Sequence, residues 1–234
     1  MASPAGAEAA AYSALAAQRG QLDRASRSEQ IADIVRRSIL DGTFAPGTRL
    51  SEPDICAALG VSRNTLREAF RTLVEDRLAT HELNRGVFVR IPSASDVADL
   101  YSCRRVVERA ALRDLRSDTD LSGLADALHS ADAAAREEDW TGVGSADIAF
   151  HRAIASLNHS VRLDQLMGNV WNELRLVFHV MADPHRFHEP YLERNHRIYE
   201  AAQNGGAGEA EQLLTAYLAD AERQIVNAYP VAGG

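Results

Sequence analysis

Two groups of residues in this 234-residue chain have the types and spacing for chemistry. Arg63, Asn64, Thr65 and Arg67 crowd the first turns of one segment, with Arg71 a turn further on. A guanidinium fork bridges O6 and N7 of guanine, a carboxamide bridges adenine, and each pairing carries about 1–3 kcal/mol of discrimination. The segment opens on Ser62, and the start of a helix also favours a phosphate. Asp147 and His151 form the second group. Four residues apart on a helix, they share one face about a turn apart. His196, in ERNHRIYEA, offers a third donor from another segment. One carboxylate and two imidazoles suit a divalent metal such as Zn, Ni or Mn. Without context, both groups also fit ordinary polar helix surfaces.

The elements that must hold the first group are readable. Ile31, Ile34, Val35 and Ile39 sit at helical spacing across 28–42, between Ser28 as N-cap and Gly42 as stop. Pro46-Gly47 turns the chain. Ser51 caps a short second helix with Ile55, Ala58 and Leu59, which Gly60 ends. Ser62 caps a third, with Leu66, Ala69, Phe70, Leu73 and Val74 on one face and the polar group elsewhere. A short helix, a glycine-containing turn and a second helix make a helix-turn-helix. Asn84-Arg85-Gly86 is then a hairpin tip before Val87, Val89 and Ile91, which alternate as a strand. The hairpin is a wing, with Arg85 and Gly86 at its tip.

The second group lies in a different unit. Residues 1–26 read as a flexible tail, 27–91 as a winged helix-turn-helix, 92–95 as a linker, and 96–229 as a helical domain. Helical periods fall near 95–116, 120–138, 142–157, 160–182, 189–204 and 207–228. The fold class is therefore mainly α, with a C-terminal antiparallel bundle of about six helices. Trp140, Trp171, Phe178 and Tyr199 read as bundle core, with Trp171 and Arg175 near the edge of any cavity. His179, His185 and His188 read as solvated loop histidines.

Composition excludes several classes. Hydrophobic residues make 46% of the chain and charged ones 25%, so it is neither a disordered nor a fibrous sequence. No apolar run approaches membrane length, and the alanine-rich N-terminus lacks the basic start of a signal peptide. Cys56 and Cys103 are far apart and read as free thiols of a cytoplasmic protein. All 25 basic residues are arginine. Residues 1–92 carry a net charge of +1 and 93–234 one of -9, which suggests two units with different partners. Gly205-Gly206-Ala207-Gly208 has no Lys, so it is not a phosphate loop.

Three blocks in order, PGTRLSE (46–52), ALGVSRNTLREAFRTLVEDRLA (58–79) and NRGVFV (84–89), resemble the winged helix-turn-helix of GntR-family bacterial transcription regulators. The resemblance implies operator DNA binding by a homodimer, with Arg63 and Arg67 at the family's base- and phosphate-contacting arginines. Gly86 falls at its wing-tip glycine. Pro53 stands where the family usually carries an arginine, so one DNA contact is expected to be missing. Residues 96–225 resemble the FCD effector domain of FadR/VanR-type members. Its metal pattern is D-x-x-x-H, a second His, and a His on the final helix. Asp147, His151 and His196 match the first three positions, and Tyr217 replaces the last. YSCRRVVERAAL (101–112) resembles the first helix of that domain, which implies that Arg105 faces the pocket and holds a carboxylate effector.

The expectation is a ligand-responsive DNA-binding regulator, a repressor, with double-stranded operator DNA, a small carboxylate and a divalent metal as partners. The effector residues are Arg105, Arg175 and Tyr217. The alternative is a metal-dependent enzyme using Asp147, His151 and His196. It leaves 28–91 without a purpose.

Overall fold

Nine helices and three short strands are present in the computed structural model, which describes residues 19–181 and 183–228. The chain divides between Arg90 and Ile91 into two units. Of the expected flexible tail, residues 1–18 lie outside the described residues, whereas 19–26 are helical.

In the first unit α1 spans Arg19–Leu40 and buries Ile31, Ala32, Val35 and Ile39 against α3. It starts well before Ser28, which is buried inside the helix and is not its N-cap. After β1 (Arg49–Leu50), α2 covers Glu52–Leu59, with Pro53 in its first turn. Gly60 ends it at φ 62°, a left-handed conformation that costs glycine nothing, and donates its N–H to the Cys56 carbonyl. Helix α3 is Arg63–Glu75, started by the Ser62 hydroxyl accepting from the Thr65 amide. Its buried residues are Leu66, Ala69, Phe70 and Leu73.

Strands β2 (Ala79–Glu82) and β3 (Gly86–Val89) form the hairpin, and β1 pairs on the far side of β3, for an antiparallel order β1-β3-β2. Val87 and Val89 point into the core. Ile91 does not continue the alternation: β3 stops at Val89 and Ile91 is exposed.

The second unit holds six helices. Ser93 and Asp96 form a capping box that starts α4 (Ala94–Arg113), so Ala94 and Ser95 belong to a helix and not to a linker. Then come α5 (Ser122–Arg136), α6 (Trp140–Ser156) and α7 (Val161–Val180). The last two are α8 (Pro184–Gln203) and α9 (Ala207–Ala228). Helix α8 begins five residues before the expected start. Asp183 accepts from the Arg186 amide as its cap, and Pro184 suits a first turn whose N–H has no partner. Helix α6 packs against α4, α5, α7 and α8, so its side chains see most of the bundle interior. Phe150, Ile154, Leu174, Ile198, Leu214 and Leu218 lie at the heart of the apolar cluster. Among the described residues no helix is long and apolar enough to cross a membrane.

Candidate DNA-binding face and bundle-core site

The amphipathicity of α3 sets the first site. Its apolar side is buried in the small unit, which leaves Arg63, Asn64, Arg67 and Arg71 exposed. Thr65 is half-buried: its hydroxyl lies 2.8 Å from Ser62 Oγ, so it serves the helix start. Arg67 Nε lies 3.0 and 3.2 Å from the two oxygens of Glu52, at the start of α2. That hydrogen bond and charge raise the Arg67 pKa. At the wing tip Arg85 pairs with Glu82 and sits 5.3 Å over the Phe88 ring. Arg49 was not anticipated. It is exposed on β1 opposite Phe88, and its Nε lies 3.5 Å from where a Cβ on Gly86 would be. A two-residue strand is too short to show an alternation, so no sequence signal pointed to it.

The second site is built by four helices. Arg104 and Glu108 come from α4, Asp147 and His151 from α6, Asn195 from α8 and Tyr217 from α9, and all are buried. Arg104 Nε donates to Glu108 Oε1 at 2.7 Å, and the guanidinium stacks 4.7 Å from the Tyr101 ring. Glu108 Oε2 lies 2.6 Å from His151 Nδ1. Asp147 Oδ1 accepts from Asn195 Nδ2 and from the Tyr217 hydroxyl, each at 2.7 Å. Asp147 Oδ1 and His151 Nε2 are 3.8 Å apart.

Burial pushes the Glu108 carboxyl up, but Arg104 and His151 outweigh it and hold it below the usual range. Burial likewise opposes ionisation of Asp147, and His151, His188, Arg104 and the Tyr217 hydrogen bond outweigh it. Both carboxylates are therefore ionised at neutral pH. An ionised Glu108 makes Nδ1 the protonated nitrogen of His151 and leaves Nε2 as its outward one. Tyr217 is driven well above its ordinary pKa by burial and by Asp147, so it is a neutral donor. Among the described residues three buried side-chain polar atoms have no hydrogen-bond partner: Arg104 Nη2, His151 Nε2 and Asn195 Oδ1.

Three expectations are corrected here. Arg105 does not face the core. It pairs with Glu222 and, at 2.9 Å, with Ser102 on the outer side of α4, while Arg104 is the inward arginine. One residue is a rotation of about 100° on a helix. The apolar stripe Val97, Leu100, Tyr101, Ala111, Leu112 passes through Arg104 and Glu108. His196 fails the same way. Its Nε2 lies 2.9 Å from Asp132 Oδ1 at the half-exposed side of α8. The buried stripe Phe187, Tyr191, Ile198, Ala202 passes through Asn195. The expected Asp147, His151, His196 set is therefore not assembled. Among the described residues no three His, Cys, Asp or Glu side chains come together as a metal site.

The third correction concerns the histidines of 179–188. His188 lies in α8 and is buried, its ring edge-on to Phe178 and Phe187 at 4.7 and 4.8 Å. Burial lowers its pKa to about 4, against the pull of Asp147. Its ring rests on Gly144: a Cβ there would come within 2.5 Å of Nε2. His185 stays exposed beside Trp140. Arg175 is half-buried on α7 and donates to the Thr141 carbonyl at 3.3 Å, and its charge helps to lower the His188 pKa.

Comparison with known proteins matches both units. Residues 27–89 match the gntR family of bacterial regulatory proteins, and 99–220 match the FCD domain. The crystal structure of a protein described as a GntR transcriptional regulator, from Rhodococcus sp. RHA1, is 63% identical. It superposes with a TM-score of 0.86, covering 88% of this chain and all of that one. The Nta operon transcriptional regulator of Aminobacter aminovorans is 30% identical over 64% of this chain and 72% of its own length. The galactonate operon transcriptional repressor of Escherichia coli K12 is 24% identical over 86% of this chain and 97% of its own.

Proposed function

The chain belongs to the GntR family of bacterial regulatory proteins and carries an FCD domain, and from that premise we propose a division of labour between its two units. It is a DNA-binding transcriptional regulator and not an enzyme. In this reading α3 enters the major groove of double-stranded operator DNA. Arg63 and Asn64 meet base edges, Arg67, Arg71 and Arg85 hold phosphates, Thr65 fixes the helix start, and Gly86 lets the wing backbone approach closely. The exposure of Arg63, Asn64, Arg67 and Arg71 along α3, opposite the buried Leu66, Ala69, Phe70 and Leu73, carries the reading. Two copies form a homodimer that spans half-sites about one helical turn apart, and the protein represses transcription in the cytoplasm.

The bundle is the sensor. We assign a small hydroxy acid as effector. Arg104 Nη2 is a free cationic donor for a carboxylate, and Asn195 Oδ1 is a free acceptor for a hydroxyl. Arg104 thereby takes the place expected for Arg105, and Tyr217 supports the site through Asp147. A relative named for the galactonate operon is consistent with this class. The acid changes DNA binding only through its different affinity for the two states of the dimer.

The test is Arg67→Ala on the full chain, with binding to an operator selected from random palindromes read by fluorescence anisotropy. Affinity is expected to fall for all sequences alike, and the slope of log affinity against log salt to flatten by about one unit, the mark of one lost phosphate contact. Thermal stabilisation by galactonate or gluconate should be unchanged. Full operator affinity in the variant overturns the DNA reading. Failure of every sugar acid to stabilise the protein overturns the effector class alone.

A further inference from the structure

The FCD resemblance implies a metal ion in the bundle, and the residues found there do not fit one. We propose that this protein's bundle core works without a metal, because the place of the cation is filled by a hydrogen-bond hub centred on Asp147. The hub is made by the chain's own side chains. Asp147 Oδ1 accepts from Asn195 Nδ2 and Tyr217 Oη, both at 2.7 Å. A cation at that oxygen would meet the protons of both donors.

Half of a metal site is present. His151 has a carboxylate, Glu108, on its Nδ1 at 2.6 Å. That is the outer partner a metal-bound imidazole has, leaving Nε2 directed at the ion. Asp147 stands one helical turn away on the same face. The other half has changed its chemistry. The inward position of α8 is Asn195 and that of α9 is Tyr217, a carboxamide and a neutral phenol where two imidazoles are needed. Zinc-type ions take three or four nitrogen, sulfur or carboxylate ligands, of which two are present. Calcium and magnesium take six or more oxygens, and here one carboxylate and one carboxamide face an imidazole. His196, which would supply the missing nitrogen, is turned to Asp132. His188 lies against Gly144 and does not complete a donor set.

His151 Nε2 and Asn195 Oδ1 are buried and unbonded. They are what the hub leaves over, and one imidazole nitrogen with one carboxamide oxygen is too small a donor set to hold a cation there. A ligand that reaches the core meets them directly, without an ion between.

The test needs neither DNA nor effector, so it stands apart from the proposed function. The full-length protein is expressed with zinc, nickel and manganese in the medium, and its metal content is measured by mass spectrometry beside Asp147→Ala. Trace metal, equal in the two proteins, is the expected result. Stoichiometric metal that Asp147→Ala removes overturns the proposal. The complementary experiment restores the ligands. The double substitution Asn195→His and Tyr217→His is expected to tighten zinc binding, read by calorimetry, by at least about a hundredfold, the upper end of what even an outer-shell partner contributes. If that protein does not fold, Asn195→His alone is measured, with a smaller gain in the same direction. A folded variant with histidine at these positions and no gain in zinc affinity also overturns the proposal.

Discussion

Arg67 and Glu52 are joined across the turn between α2 and α3, with the guanidinium Nε 3.0 and 3.2 Å from the two carboxylate oxygens. The pair puts a negative charge beside a side chain assigned to a phosphate. In the proposed DNA-bound state it aims the arginine and also repels the DNA backbone.

Glu52→Gln therefore separates aiming from charge. Non-specific affinity should rise, because one repulsion is gone. The slope of log affinity against log salt should steepen by up to about one unit, the size of a single phosphate contact. Operator affinity should rise less, so the ratio of specific to non-specific binding falls. An unchanged ratio across a salt series would show that Glu52 has no part in positioning Arg67.

Arg104 and Glu108 are a fully buried ion pair, and removing one partner strands the other. Arg104→Met should cost about 3–5 kcal/mol in urea unfolding, since it leaves the carboxylate with His151 as its one remaining hydrogen-bond partner. Adding Glu108→Gln to that variant should recover part of the loss. If the double variant is less stable than Arg104→Met, the pair is not the source of the cost.

His188 sets a pH dependence. Its pKa is held at about 4 in the folded chain, against 6.5 for the free group. Between those values the unfolded chain binds the proton and the folded one does not, so stability rises with pH across that window. The contribution is fully present above about 6.5 and is lost as the pH falls to about 4. It amounts to about 3 kcal/mol at most. His188→Gln should flatten the stability profile between these pH values. The same slope in the variant would assign it to other groups.

Gly144 is needed for space. An added methyl group would come within 2.5 Å of His188 Nε2, and the ring is walled by Phe178 and Phe187. Gly144→Ala should lower stability by about 1–3 kcal/mol, a typical cost of overpacking. Combining it with His188→Ala should cost less than the sum of the two single changes. Additive losses in thermal unfolding would disprove the contact.

Much of the molecule was legible before any coordinates. Ser62, Gly60 and the spacing of Leu66, Phe70 and Leu73 specify a helix with Arg63, Asn64 and Arg67 turned outward, because caps and periodicity are local physics. Asp147 and His151 share a face for the same reason, and α6 carries both into the interior. What local pattern does not settle is which of two adjacent polar residues goes inside. Arg104 and not Arg105, and Asn195 and not His196, were decided by the stripe that each helix presents to its neighbours. A charged or amide group is not apolar, so it carries no hydrophobic signal of its own. It is buried only because a partner satisfies it there, Glu108 on the same helix for Arg104 and Asp147 on α6 for Asn195. Those partners lie 4 and 48 residues away, and the second pairing exists only once α6 and α8 are packed together.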